Sequence, residues 1–109
     1  METACYLAGL GSSVSVVVRS KILRSFDQQV VRHLEEKLNE EENMNILIES
    51  KVKQIHKMEN GKMNVDLNIK GESRTIKDVD CVVLAVGRSF HPETLGLDKI
   101  KEIKLNPQR

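Results

Sequence analysis

Tryptophan is absent from this chain, and one tyrosine and two phenylalanines are the only aromatic residues among 109. A core assembled without large rings must be aliphatic, which suits a small α/β domain. An excess of one charge is missing too. Lys and Arg number 17 against 16 Asp and Glu, for a formal net charge of +1. No global field draws the chain to nucleic acid or to an anionic membrane, so neither is an expected partner. No apolar run approaches a membrane span, and no secretory signal is expected, because Glu2 and small residues stand where basic residues would precede one. Cysteine is scarce. Cys5 and Cys81 form no C-x-x-C pair and are expected to be reduced, buried, small apolar residues. The compartment implied is reducing: the cytoplasm, with the mitochondrion as the alternative.

What is present argues against disorder, with 39% hydrophobic and 30% charged residues. The length allows one small domain, which buries roughly 60–70% of its unfolded surface, so losing one core element would matter. Glu2 to Leu10 is rich in Ala and Leu, with Gly11 where a helix C-cap belongs. Val14-Ser15-Val16-Val17-Val18 is a β-branched run of the kind that makes a buried strand. Asp27 is a good N-cap, and Phe26 and Val31 are spaced as a hydrophobic staple. Val30, Val31, Leu34 and Leu38 mark one face of a helix to about Glu41, and Met44 to Ile48 reads as a second buried strand. The order helix, strand, helix, strand is the interior of a parallel α/β unit, whose opening strand would lie before Met1.

The middle changes character. Lys51 to His56 is a mixed strand, and Asn60-Gly61 is a hairpin turn signal. Met63, Val65, Leu67 and Ile69 alternate with Asn64, Asp66, Asn68 and Lys70, which predicts one buried and one wet face. Arg74 to Ile76 predicts a third short strand, completing an antiparallel meander over about 50–78. Cys81 to Val86 is a continuous apolar run, expected as a central strand covered on both faces. Beyond Ser89 the chain reads as loop, a short helical turn and a late strand.

Chemistry concentrates at the end of the first strand. In dinucleotide-binding units an acid at this place bonds the ribose hydroxyls of NAD, whereas arginine accepts the 2′-phosphate of NADP. Here the strand ends Val18-Arg19-Ser20, Arg24 follows, and no acid occurs until Asp27. From these residues alone two readings stay open for Arg19, Lys21 and Arg24: solvated loop charges, or a phosphate grip. Gly9-Leu10-Gly11 follows a helix and precedes a strand, so it reads as a helix terminus and not as a phosphate turn. His33, His56 and His91 are scattered without ligand spacing, and no metal site is expected.

Several motifs in order resemble the pyridine nucleotide-disulfide oxidoreductases. Glu2 to Gly11 is similar to the helix that follows their glycine-rich turn. Val17-Val18-Arg19-Ser20 with Ile22-Leu23-Arg24-Ser25-Phe26-Asp27-Gln28 resembles the adenosine-phosphate loop of the large, animal-type thioredoxin reductases. Glutathione reductases generally space these arginines one residue further apart. Asp80-Cys81 through Leu84-Ala85-Val86-Gly87-Arg88 resembles the strand ending in the family's Ala-x-Gly-Arg motif, and Leu95-Gly96-Leu97 resembles the stretch after it.

The resemblance implies an α/β fold: a partial Rossmann-like domain over residues 1–109, with an inserted antiparallel meander and without the first strand and Gly-rich turn. It implies NADPH, held by Arg19, Ser20 and Arg24 at the 2′-phosphate, by Glu2 near the nicotinamide, and by Val86, Gly87 and Arg88 along the cofactor. From the residues alone, Glu2 is equally a helix N-terminal acid, Gly87 a turn glycine and Arg88 an ion-pair partner. FAD would be bound mainly by parts outside this sequence, which also lacks the active-site cysteine pair and the dimerisation domain. No catalytic residue is therefore expected. The function implied is the NADPH-binding segment of a FAD-dependent disulfide reductase, a homodimer acting on thioredoxin. Glutathione reductase and thioredoxin-glutathione reductase are the near alternatives. A rival from another class is a non-catalytic module that binds a partner through an exposed sheet edge.

Overall fold

The computed structural model describes residues 1–89, 91–100 and 102–104. Helix α1 (Glu2–Gly9) leads into strand β1 (Val14–Val17), helix α2 (Gln28–Glu40) and strand β2 (Met44–Leu47). Helix α1 stops because Gly11 takes φ +89°. The Gly11 N–H then donates to the Ala8 carbonyl at 2.9 Å and the Ser12 N–H to the Leu7 carbonyl at 3.1 Å, a paired closure that satisfies the helix's last acceptors. Helix α2 starts as expected, with the Asp27 carboxylate accepting from the N–H groups of Gln29 (2.7 Å) and Val30 (3.3 Å).

Strands β1 and β2 pair in parallel, Val14 opposite Met44 and Val16 opposite Ile46. Period-two alternation sends Val14, Val16 and Val18, with Met44, Ile46 and Ile48, to one face. Ile22, Val31, Met44 and Ile46 are the buried centre there, and Met1 just before the first helix, Ala4 and Ala8 within it, and Leu38 of the second pack around them. Both helices therefore cover the same face, α2 as the crossover between the two parallel strands. Small Ala4 and Ala8 let α1 approach closely.

Strand β2 turns at Ile48-Glu49, where Glu49 takes φ +54°, into an antiparallel sheet of β3 (Ser50–Lys57), β4 (Met63–Ile69) and β5 (Glu72–Val79). Ser50 stitches the two sheets and is 1% exposed. Its N–H donates to the Val18 carbonyl and its hydroxyl to the Ile48 carbonyl, each at 3.0 Å. The first hairpin bends at Gly61 (φ +82°). The second bends at Lys70-Gly71, both with positive φ, the two-residue turn whose twist matches the strands. In β4, Val65 and Leu67 are buried, the face that the alternation predicts.

Several expectations fail. The third strand of the meander runs eight residues, Glu72–Val79, well beyond the short Arg74–Ile76 stretch. Residues 81–86 form no strand, and Val86 is 92% exposed. A strand is stable only where a neighbouring edge accepts its backbone groups, and among the described residues this run pairs with none. Cys81 is exposed in consequence, and Cys5 is exposed on α1, so neither is a core residue. On α2 only Val31 is buried, whereas Val30 is 67% and Phe26 63% exposed, so the staple and half the expected face meet water. After two 3₁₀ turns, Pro92–Leu95 and Leu97–Lys99, residues 102–104 form no strand. The rest of the expected late strand lies outside the described residues. No described helix is long and apolar enough to cross a membrane.

Candidate dinucleotide-phosphate loop

The loop from Val18 to Asp27 leaves the carboxyl end of β1, the end at which open α/β sheets bind ligands. Its base is held twice. The Val18 N–H donates to the Leu47 carbonyl at 2.9 Å, and the Val18 carbonyl accepts from Ser50. Arg19, Ser20 and Lys21 then stand in solvent, and Ile22, 4% exposed, dives into the core. Leu23 takes φ +45°, a left-handed conformation that costs a residue other than glycine on the order of 1 kcal/mol. Arg24 is exposed beyond this bend. The Phe26 N–H closes the turn on the Leu23 carbonyl at 3.0 Å. The Gln28 side-chain amide donates to the carbonyls of Leu23 (3.2 Å) and Phe26 (3.0 Å). Beneath lies a hollow of about 310 Å³ bordered by Ser20, Lys21, Gln28, Arg32 and Glu35. Arg19 and Arg24 do not line it.

The charge around the loop is one-sided. Neither Arg19 nor Arg24 takes part in an ion pair among the described residues. Asp27, the nearest acid in sequence, is committed to capping α2. No carboxylate between Val18 and Asp27 is placed to receive ribose hydroxyls. Two guanidinium forks and a hydroxyl on one loop are the donor types a phosphate takes, and the acid nearest the hollow is Glu35 of α2.

Residues 1–109, the whole chain, match the family model described as pyridine nucleotide-disulphide oxidoreductase. The chain belongs to that family. It is similar to thioredoxin reductase 2, mitochondrial, of Drosophila melanogaster, with 33% identity over 99 residues. That match takes in 90% of this chain and 19% of the relative, so the chain spans about a fifth of the relative's length.

Of the other residues marked by resemblance to this oxidoreductase family, Glu2 opens helix α1, which packs Ala4 and Ala8 on the core beside β1. The Glu2 carboxylate is 97% exposed, 3.4 Å from the terminal ammonium. Its own backbone N–H, and then that ammonium, hold its carboxyl below the usual range. Val86, Gly87 and Arg88 are exposed on the unpaired segment. Gly87 takes φ +136°, where side-chain-bearing residues rarely go. Arg19, Ser20 and Arg24 lie on one loop, and no described hydrogen bond or ion pair ties Glu2 or residues 86–88 to it.

Two polar clusters went unnoticed in the sequence. On the antiparallel sheet Asp66 accepts from the Thr75 hydroxyl at 2.6 Å and lies 2.9 Å from His56 Nε2. The Thr75 bond first, and His56 second, lower its carboxyl pKa. The hydroxyl gives its proton to the carboxylate and not to the imidazole, so no nucleophile is activated. The second cluster joins Ser89 Oγ to His91 Nε2 and His91 Nδ1 to Glu93, each at 3.0 Å. All three residues are exposed, and such a relay depends on a water-excluding site, so it serves as a loop brace. No group of three metal-ligating side chains occurs among the described residues.

Proposed function

We propose that this chain is the NADPH-gripping segment of a FAD-dependent disulfide reductase, and that thioredoxin is its disulfide substrate. One observation carries the reading: Arg19, Ser20 and Arg24 share a loop at the carboxyl end of β1 that holds no uncommitted acid. When bound, NADPH supplies the hydride, and FAD, held mainly by other parts of the protein, relays reducing power to the disulfide. The chain's own work is grip and orientation. Arg19 and Arg24 clasp the 2′-phosphate and Ser20 donates its hydroxyl to it. Glu2 stands near the nicotinamide end, and Val86, Gly87 and Arg88 border the cofactor. None of these residues serves as a general acid, general base or nucleophile in the reaction, so their loss weakens affinity and placement.

Thioredoxin over glutathione is supported by the five-position step from Arg19 to Arg24 and by the named relative. A homodimer in the cytoplasm or mitochondrion completes the proposal. In the full-length protein, Arg19→Ala with Arg24→Ala should lower the NADPH-over-NADH ratio of kcat/KM on the order of a hundredfold. Equal use of both nucleotides by the unaltered protein would overturn the reading. A partner-binding module is the second reading, favoured by the outer edge of β1, which pairs with β2 on one side only. A monomer indifferent to NADPH that captures an extended peptide at that edge would establish it.

A further inference from the structure

The loop that bears Arg19 and Arg24 is braced by a side chain from the start of α2. The chain dips at Ile22, which is buried, and re-emerges at Arg24, which is exposed. The reversal between them is the left-handed bend at Leu23. That bend is held from one direction by the Phe26 N–H on the Leu23 carbonyl. From the other it is held by Gln28, whose Nε2 donates to the carbonyls of both Leu23 and Phe26. A side-chain amide has two N–H donors, and here two carbonyls of one turn receive them. Gln28 itself is fixed as the first residue of α2, directly after its capped N-terminus.

We propose that Gln28 is a positioning residue for phosphate selectivity. By holding the Leu23 bend it sets where Arg24 stands relative to Arg19, without itself touching the cofactor. This rests on the assignment of the two arginines made above. A paired guanidinium grip depends on sub-ångström placement, and an unbraced loop must be ordered at the expense of binding. Removing the brace should therefore weaken recognition of the nucleotide with the extra phosphate and spare the one without it.

Gln28→Met in the full-length protein tests this, because methionine keeps the length and helix preference of the side chain and loses both donors. Gln29→Met is the control: Gln29 is exposed and its side chain makes no described hydrogen bond. Gln28→Met should raise the KM for NADPH about fivefold to tenfold with kcat nearly unchanged, leave the NADH constants alone, and speed hydrogen exchange at the Phe26 amide. Gln29→Met should do none of these. If Arg24→Ala lowers the NADPH preference while Gln28→Met leaves it intact, the positioning role is wrong and the arginine assignment survives. If Arg24→Ala also leaves the preference unchanged, the assignment fails and this inference with it. An equal loss toward both nucleotides, accompanied by a lower Tm, would reduce Gln28 to a structural residue of α2 and overturn the proposal.

Discussion

Asp66 is a surface carboxylate whose environment can be read out by acid. Its folded-state pKa is depressed from an ordinary 3.8, chiefly by the Thr75 hydroxyl and next by His56. A depressed carboxyl contributes stability that is complete above the unfolded pKa and disappears as pH falls through the folded one. Thermal melts of the wild type should therefore lose Tm below about pH 4 more steeply than those of Asp66→Asn, which has no carboxyl to protonate. Parallel acid limbs in the two proteins would show that the bond to Thr75 carries no such linkage. The place of the arginine loop was legible in the sequence, because the β-branched run ending at Val18 marks where the strand stops and Asp27 marks where the helix begins. Gln28 was not, because its partners are carbonyls exposed by a bend at Leu23, and leucine gives no sign of a left-handed backbone. The link between His56 and Asp66 was hidden for a similar reason: it needs the register across the hairpin and the irregular pairing between Val52 and Gln54.

Among the elements, those with local signals are the ones that formed. Gly11 after an Ala-rich helix, Asp27 before an amphipathic one and the strict alternation of Met63–Ile69 each act within a few residues, so chain-local chemistry decides them. Gly9 and Gly11 give a sharp check, since they differ by two positions and in opposite senses. Gly9 is helical and an added Cβ would meet nothing within 4 Å, so Gly9→Ala should stabilise the fold by roughly 0.5–1 kcal/mol. Gly11 takes φ +89°, so Gly11→Ala should destabilise it by about 1 kcal/mol, both read by urea denaturation. If Gly11→Ala were neutral, the helix would not depend on the left-handed closure seen here. The run Cys81–Val86 had an equally strong composition and failed to form, because a central strand depends on partners distant in sequence, which no local pattern contains.

Over the whole molecule, the Cα radius of gyration is 18.1 Å, against about 13 Å for a compact domain of this length. The excess agrees with a small core and a long apolar stretch left in water. Val83, Leu84 and Val86 are all exposed, close in sequence to one another, and among the described residues the outer edge of β1 has no partner. The 109-residue chain should therefore self-associate with rising concentration in sedimentation velocity runs. Leu84→Lys with Val86→Lys should shift it toward monomer. A wild-type chain that stays monomeric at high micromolar concentration would mean that this stretch finds cover in solution.

Val18 sits at a mechanical junction. Its amide belongs to the parallel pair and its carbonyl to the first residue of the three-stranded sheet, so a single residue answers to both sheets. The three-stranded sheet is thereby moored one residue from Arg19, at the root of the arginine loop.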